Sequence, residues 1–107
     1  MEASVLVRVT EAGRQPFQLR RGEEGLSVFN LGAVDPPLTE AEILACFRPR
    51  SLVVVRSIAK IEEHGLHVIP IAGAGDLSPR LRDAHAEIRP GPDMTRAQFK
   101  QALMELE

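Results

Sequence analysis

Residues 51–56, Ser-Leu-Val-Val-Val-Arg, give the strongest strand signal in the chain. The run from Leu52 to Val55 is apolar throughout, and three of its four residues are β-branched valines. Such a run suits an extended segment whose side chains pack on both faces of a sheet. The pattern therefore predicts a strand that lies centrally in a β-sheet, and this sheet decides the fold.

The neighbouring segments supply the other strands of this sheet. Apolar runs or apolar–polar alternation mark them, and proline-containing stretches at 35–37 and 90–92 separate them from the helical segments. The predicted strands lie at about 4–9, 26–29, 52–56, 66–71 and 84–89. Because strands outnumber helices and follow one another closely, the expected sheet is mixed or largely antiparallel.

Helix signals occur twice, and each begins with the spacing of a capping box. Thr39 precedes Glu42 by three residues, and Thr95 precedes Gln98 by the same interval. The two main helices are predicted at about 40–47 and 95–106, packing on the sheet through Ile43, Phe47, Phe99 and Leu103. The sequence thus predicts one α+β domain over residues 1–107.

Composition narrows the class of protein. The chain of 107 residues is 44% hydrophobic, which is enough to bury a core, and its formal net charge is −2. A general nucleic-acid binder or a binder of anionic membranes would be basic instead. The arginines nevertheless cluster, around Arg14–Arg21, Arg48–Arg56 and Arg80–Arg89, so local basic clefts are expected on an acidic protein.

Compartment and metal binding are inferred from a few residue types. A lone Cys46 cannot form an internal disulfide, and its apolar neighbours favour a buried thiol. With no leader or membrane-spanning pattern, the expected location is the cytoplasm. The three histidines and the cysteine lack zinc spacing, and Gly73-Ala-Gly75 lacks the rest of a phosphate loop, so no metal site is expected.

Four polar residues remain as candidates for chemistry. Arg8 lies in an apolar strand, and Ser27 lies among the apolar residues of Gly-Leu-Ser-Val-Phe. His85 and Glu87 alternate on one face of a strand, which suits an acid–base pair. Each also has a plain structural interpretation: a strand-end arginine in solvent, an outward serine, and a solvated ion pair with Arg89 or Arg82.

The order of these pieces resembles a bacterial toxin family. A strand with Val-Arg-Val comes first, Gly25-Leu-Ser-Val-Phe29 is second, and His85-Ala-Glu-Ile-Arg-Pro90 precedes an amphipathic helix. This order is similar to that of the bacteriostatic type VI secretion effectors whose fold is like that of ADP-ribosyltransferase toxins. Val68-Ile69-Pro70 resembles a further segment of that family. The chain has no tyrosine, which excludes the histidine–tyrosine–glutamate version of the transferase site.

The resemblance implies an ADP-ribosyltransferase-like sheet, NAD as the ligand, and a growth-arresting toxin. Arg8 and Ser27 would then bind NAD, through its phosphates or ribose and at the nicotinamide pocket. His85 would order the same site. Glu87 is not one of the matching residues; as a carboxylate on the face of His85, it is our own candidate to stabilise positive charge on the ribose as nicotinamide leaves. The resemblance also implies a cognate immunity protein or antitoxin as partner, and no metal.

Two other classes of function stay open at this point. The protein could be a binding or regulatory protein that keeps the fold without the activity. It could also be a small metal-independent RNase toxin that uses His85 and the arginine clusters. The target is not readable from the sequence under any of the three.

Overall fold

A computed structural model describes residues 5–107, so Ser4, the first residue of the predicted strand 4–9, lies outside the described residues. The strands are β1 (Val5–Glu11), β2 (Leu26–Asn30), β3 (Ser51–Ser57), β4 (His67–Pro70) and β5 (His85–Arg89). They form one five-stranded sheet in the order β3-β1-β2-β5-β4. All of its pairings are antiparallel, which agrees with the predicted α+β class.

Four short α-helices accompany the sheet in the described part of the chain. They are α1 (Glu40–Leu44), α2 (Ile58–Glu63), α3 (Pro79–Ala84) and α4 (Arg96–Met104). The predicted capping boxes of Thr39 and Thr95 are both present and begin α1 and α4. The prediction of two main helices was therefore incomplete, because α2 and α3 were not assigned as helices.

The alternation of side chains in β1 divides the core between the two faces of the sheet. Leu6 points into a cluster that also contains Ile61 of α2 and Phe99 of α4, and we call this side the α4 face. Val7 points the other way, into a cluster with Ile43 of α1, and we call this side the α1 face. Helices thus cover both faces, and the sheet lies between them as a middle layer.

The predicted central strand was wrong in its position, because β3 is an edge strand of the sheet. It pairs with β1 along its whole length, from Ser51 to Ser57. Its apolar character has another cause: Val53 packs against the α1-face cluster and Val54 against the α4-face cluster. A strand with helices on both sides needs apolar residues on both faces, even at an edge.

Other corrections concern the ends of elements. Ala84 belongs to α3, so the last strand begins at His85 rather than at 84. Phe47 lies beyond the end of α1 and is 36% exposed, although its ring still contacts Phe29 at a centroid distance of 6.0 Å. Cys46 is exposed, not buried, because α1 ends at Leu44 and the thiol lies in the turn after it.

Candidate functional site

A cavity of about 550 Å³ opens where β1 and β2 diverge. β1 pairs with β2 only at Leu6–Asn30 and Val7–Phe29, whereas its pairing with β3 continues to Glu11. Beyond Val7, β1 therefore has a partner strand on one side and the cavity on the other. The polar segment between β1 and β2, the residues between α1 and the start of β3, and the loop after β4 supply the remaining walls.

Three of the four predicted site residues line this cavity. Arg8 comes from β1, Ser27 from β2 and His85 from β5, so three strands bring together residues that are far apart in sequence. Glu87, the fourth, is not among the lining residues. The structure therefore brings three of the four residues to one cleft and leaves Glu87 beside it.

Arg8 acts as a bridge between diverging segments of backbone. Its Nε donates to the carbonyl oxygen of Pro16 and its Nη1 to that of Ser27, both at 2.8 Å. The half-buried guanidinium fills the gap that opens after Val7–Phe29, so Arg8 is not a strand-end arginine reaching solvent. Desolvation lowers the pKa of Arg8, with Glu23 raising it and Arg20 lowering it further, but an arginine stays charged.

The register of β2 and β5 aligns the other three residues on the α1 face. Ser27 lies opposite Glu87, and Phe29 lies opposite His85. Directly opposed residues in an antiparallel pair point to the same side and have Cβ atoms about 4.5–5.5 Å apart. His85 and Glu87 therefore share a face, as their alternation predicted, with Ser27 beside them.

One ring nitrogen of His85 is hydrogen-bonded within the protein, and the other can bind a ligand. Its Nδ1 lies 2.7 Å from the carbonyl oxygen of Ile71, which can only accept a hydrogen bond. In the neutral imidazole Nδ1 therefore carries the proton, and Nε2 has a free lone pair. The ring also meets Phe29 edge-on, with centroids 5.6 Å apart, which fixes its plane. His85 can thus accept a hydrogen bond from a hydroxyl group of a ligand.

Glu87 is held by an arginine instead of facing the cavity. Its Oε1 accepts from Arg89 Nη2 at 2.7 Å and from Arg89 Nε at 2.8 Å. This is the ion pair that the plain interpretation of Glu87 anticipated. Such a two-point contact is specific in direction and leaves the carboxylate engaged on its own strand.

Gly25, the first residue of the Gly-Leu-Ser-Val-Phe segment, makes room for this ion pair. A Cβ added at Gly25 would lie 2.6 Å from Glu87 Oε1 and 2.7 Å from Arg89 Nε. We expect Gly25→Ala to displace the pair and to lower the free energy of unfolding by no more than about 1 kcal/mol, because the atoms that must move belong to flexible side chains and the ion pair is partly exposed. Urea denaturation measures this effect. Gly75→Ala is the control, because nothing lies within 4 Å of its added Cβ; equal losses in both variants would contradict the packing argument.

The cavity is basic on a protein that is acidic overall. Its charged lining consists of four arginines and two carboxylates: Arg8, Arg14, Arg20, Arg48, Glu11 and Asp76. Glu11 is shared by Arg14 at 3.8 Å and Arg48 at 3.9 Å, and such long, exposed pairs are weak. Arg14, Arg20 and Arg48, which are exposed, are therefore available to an anion such as a phosphate, whereas Arg8 is engaged by the backbone.

The arginine clustering predicted basic clefts, but not which arginines converge. Arg20 reaches the cavity because Arg96 of α4 binds the backbone around it. The Arg96 guanidinium donates to the carbonyl oxygens of Glu23 at 2.6 Å and Arg20 at 2.9 Å. Arg96 is more than 70 residues away in sequence from both of these residues, so no local pattern predicts the contact.

An apolar wall complements the charged one. Phe29 and Phe47 both line the cavity, and their rings meet nearly at right angles. Phe47 keeps part of its ring exposed there, since it lies past the end of α1. A cavity with one aromatic wall and several convergent arginines suits a ligand that has both a planar ring and anionic groups.

The part of the chain that the structure describes, residues 5–107, contains neither a metal-binding cluster nor a membrane-spanning helix. In that range no three His, Cys, Asp or Glu side chains group in a way that could hold a metal ion. None of the helices in that range is long and apolar enough to cross a bilayer.

Comparison of the chain with protein-family models, with curated proteins and with solved structures found no match. A proposal for the function therefore rests on the antiparallel α+β fold and the cavity. The ADP-ribosyltransferase-like type of the fold stays a proposal.

Proposed function

We propose that the protein is a bacterial toxin with an ADP-ribosyltransferase-like fold, which binds NAD in the basic cavity and arrests growth by modifying a target in the bacterial cytoplasm. One observation carries the proposal. Arg8, Ser27 and His85, which the family resemblance singled out from sequence, line the same cavity although they come from three different strands.

The cavity has the size and the chemistry for such a ligand. A volume of about 550 Å³ lies within the range of small-molecule and cofactor sites, roughly 300–1,000 Å³. Arg20 and Arg48 are exposed in the lining and can meet the pyrophosphate with charge-assisted hydrogen bonds. The exposed part of the Phe47 ring can take a planar ring of the ligand.

The chain's own groups would divide the chemistry between them. In the proposed reaction the nicotinamide–ribose bond would break, with the bonding electrons leaving on nicotinamide, and a nucleophilic group of the target would bond to the ribose and lose its proton. Positive charge would develop on the ribose, and a nearby carboxylate would stabilise it. His85 Nε2 would hold a ribose hydroxyl as a hydrogen-bond acceptor. Glu87 lies directly opposite Ser27, so it would reach the ribose only after its carboxylate leaves Arg89.

The ion pair between Glu87 and Arg89 supports a second candidate function. If Glu87 stays with Arg89, the cavity can bind its ligand but lacks a carboxylate at the reacting centre. The protein would then be a binding or regulatory protein of the same fold. Growth of the producing cell separates the two candidates, because only the toxin harms it.

Expression in a bacterium tests the proposal. We expect the wild-type chain, induced without a cognate immunity protein or antitoxin, to arrest growth, and Ser27→Ala to relieve the arrest because its exposed hydroxyl borders the cavity. The readout is growth after induction, with the amount of folded protein measured in each strain.

Lys100→Ala is the matched control for this experiment. Lys100 is exposed on α4 and is not among the residues that line the cavity, so the variant should arrest growth like the wild type. Normal growth at high levels of folded wild-type protein would contradict the toxin and favour the binding protein.

A further inference from the structure

The two edges of the sheet differ in how they are protected against pairing with another chain. β4, at one edge, has four residues and ends in Pro70, which cannot donate a hydrogen bond to a further strand. β3, at the other edge, has seven residues and contains neither proline nor lysine. Short strands, prolines and lysines are the usual devices that prevent edge pairing, and β3 lacks them.

The outer edge of β3 is also apolar and regular. Leu52 is 49% exposed and Val55 is 40% exposed, and they lie on opposite faces of the strand. The register with β1 runs without interruption from Ser51 to Ser57, so no bulge twists the edge away. Within residues 5–107, no strand pairs with this outer edge.

The one charged residue of β3 is engaged by its own domain. Arg56 Nε donates to the carbonyl oxygen of Leu106 at 2.6 Å, and Nη1 donates to that of Val55 at 2.9 Å. The guanidinium lies over the ring of Phe17, 5.3 Å from its centroid. Its charge is therefore held against the α4 face and does not repel a strand that approaches the edge.

The sequence of β3 favours a second copy of itself as the occupant. Ser-Leu-Val-Val-Val-Arg-Ser is nearly the same in both directions about Val54. Antiparallel pairing centred there places Ser51 opposite Ser57 of the second copy and Val53 opposite its Val55. No like charges face each other, and β-branched pairs of this kind stabilise antiparallel sheets.

We propose that β3 pairs antiparallel with β3 of a second copy, so that the protein forms a two-fold symmetric dimer with one continuous sheet of ten strands. Of the residues of β3, only Ser51 at its first position lines the cavity, so the pairing would leave the rest of the cavity lining uncovered.

A charge placed on the edge tests this pairing. In the dimer, the two Val55 side chains are diagonal neighbours on one face, and Val55→Lys would set two like charges there. We expect Val55→Lys to weaken self-association by about tenfold, measured by analytical ultracentrifugation across a concentration series. Ile69→Lys is the matched control, since Ile69 is 43% exposed on the other edge strand; it should self-associate like the wild type.

A mixing experiment separates pairing from general effects on the fold. Val55→Glu alone should also be impaired, but an equimolar mixture of Val55→Lys and Val55→Glu proteins should form heterodimers, counted by native mass spectrometry. A wild type that stays monomeric throughout overturns the proposal, even if another protein's strand binds β3. Equal weakening by Val55→Lys and Ile69→Lys, or a mixture that forms no heterodimer, overturns it as well.

Discussion

Arg8→Ala is expected to cost the protein about 2–4 kcal/mol of its free energy of unfolding. The guanidinium donates to two backbone carbonyl groups, of Pro16 and Ser27, and hydrogen bonds from a charged group contribute about 1.5–3 kcal/mol each. A small domain has only about 5–15 kcal/mol in total, so this loss is large. Urea denaturation at neutral pH measures it directly.

Two further variants show whether the loss comes from the bridge or from the charge. Arg8→Lys keeps the charge, but a single ammonium lacks the fork that reaches both carbonyl groups, so we expect about half the loss. Arg14→Ala removes a cavity arginine whose contact is a 3.8 Å pair with Glu11, and it should change stability by less than about 0.5 kcal/mol. Equal effects of Arg8→Ala and Arg14→Ala would contradict the bridging role.

The second large effect that we expect is a loss of affinity for NAD. The double variant Arg20→Ala/Arg48→Ala should bind NAD about a hundredfold more weakly than the wild type, since each lost charge-assisted contact to a phosphate is worth about tenfold. Both side chains are exposed, so the variant should remain folded. Isothermal titration calorimetry gives the two dissociation constants.

The control for this loss removes the same charge elsewhere. Lys60→Ala/Lys100→Ala deletes two exposed cations from α2 and α4, neither of which lines the cavity. Salt screens such exposed charges, so at physiological ionic strength this variant should bind NAD like the wild type. Equal losses in the two double variants would mean that net charge, not the cavity, attracts the ligand.

The sequence predicted those elements whose signals are local. Capping boxes located α1 and α4, and alternation located β5 and the shared face of His85 and Glu87. The helix α2 was missed, although Ile58 and Ile61 have helical spacing, because the helix continues directly from β3 and has no side-chain cap.

The position of β3 illustrates what a local pattern cannot supply. An apolar run indicates that both faces of a strand are covered. Val53 and Val54 do pack against the two core clusters, but no residue of β3 is fully buried. Whether another strand lies alongside is decided by pairing across the whole chain. The central placement was therefore wrong, and the apolar run corresponds only to the partial burial of Val53 and Val54.

Local sequence patterns likewise predicted part of the candidate site but not all of it. Strand order and register bring Arg8, Ser27 and His85 to one cavity, as the motif order predicted. Glu87 lies on the same face as His85, as the alternation predicted, but its carboxylate binds Arg89, two residues further along the strand. That choice depends on competing partners in space, and the space left by Gly25 favours Arg89.

We expect NAD to occupy the cavity between β1, β2 and β5, and a titration monitored by NMR can locate it residue by residue. NAD is added to ¹⁵N-labelled wild-type protein, and the shifted backbone amides are assigned. We predict that the largest shifts cluster at Arg8, Ser27 and His85 and that they saturate together. Shifts confined to α2 and α4, or no shifts at all, would contradict the account.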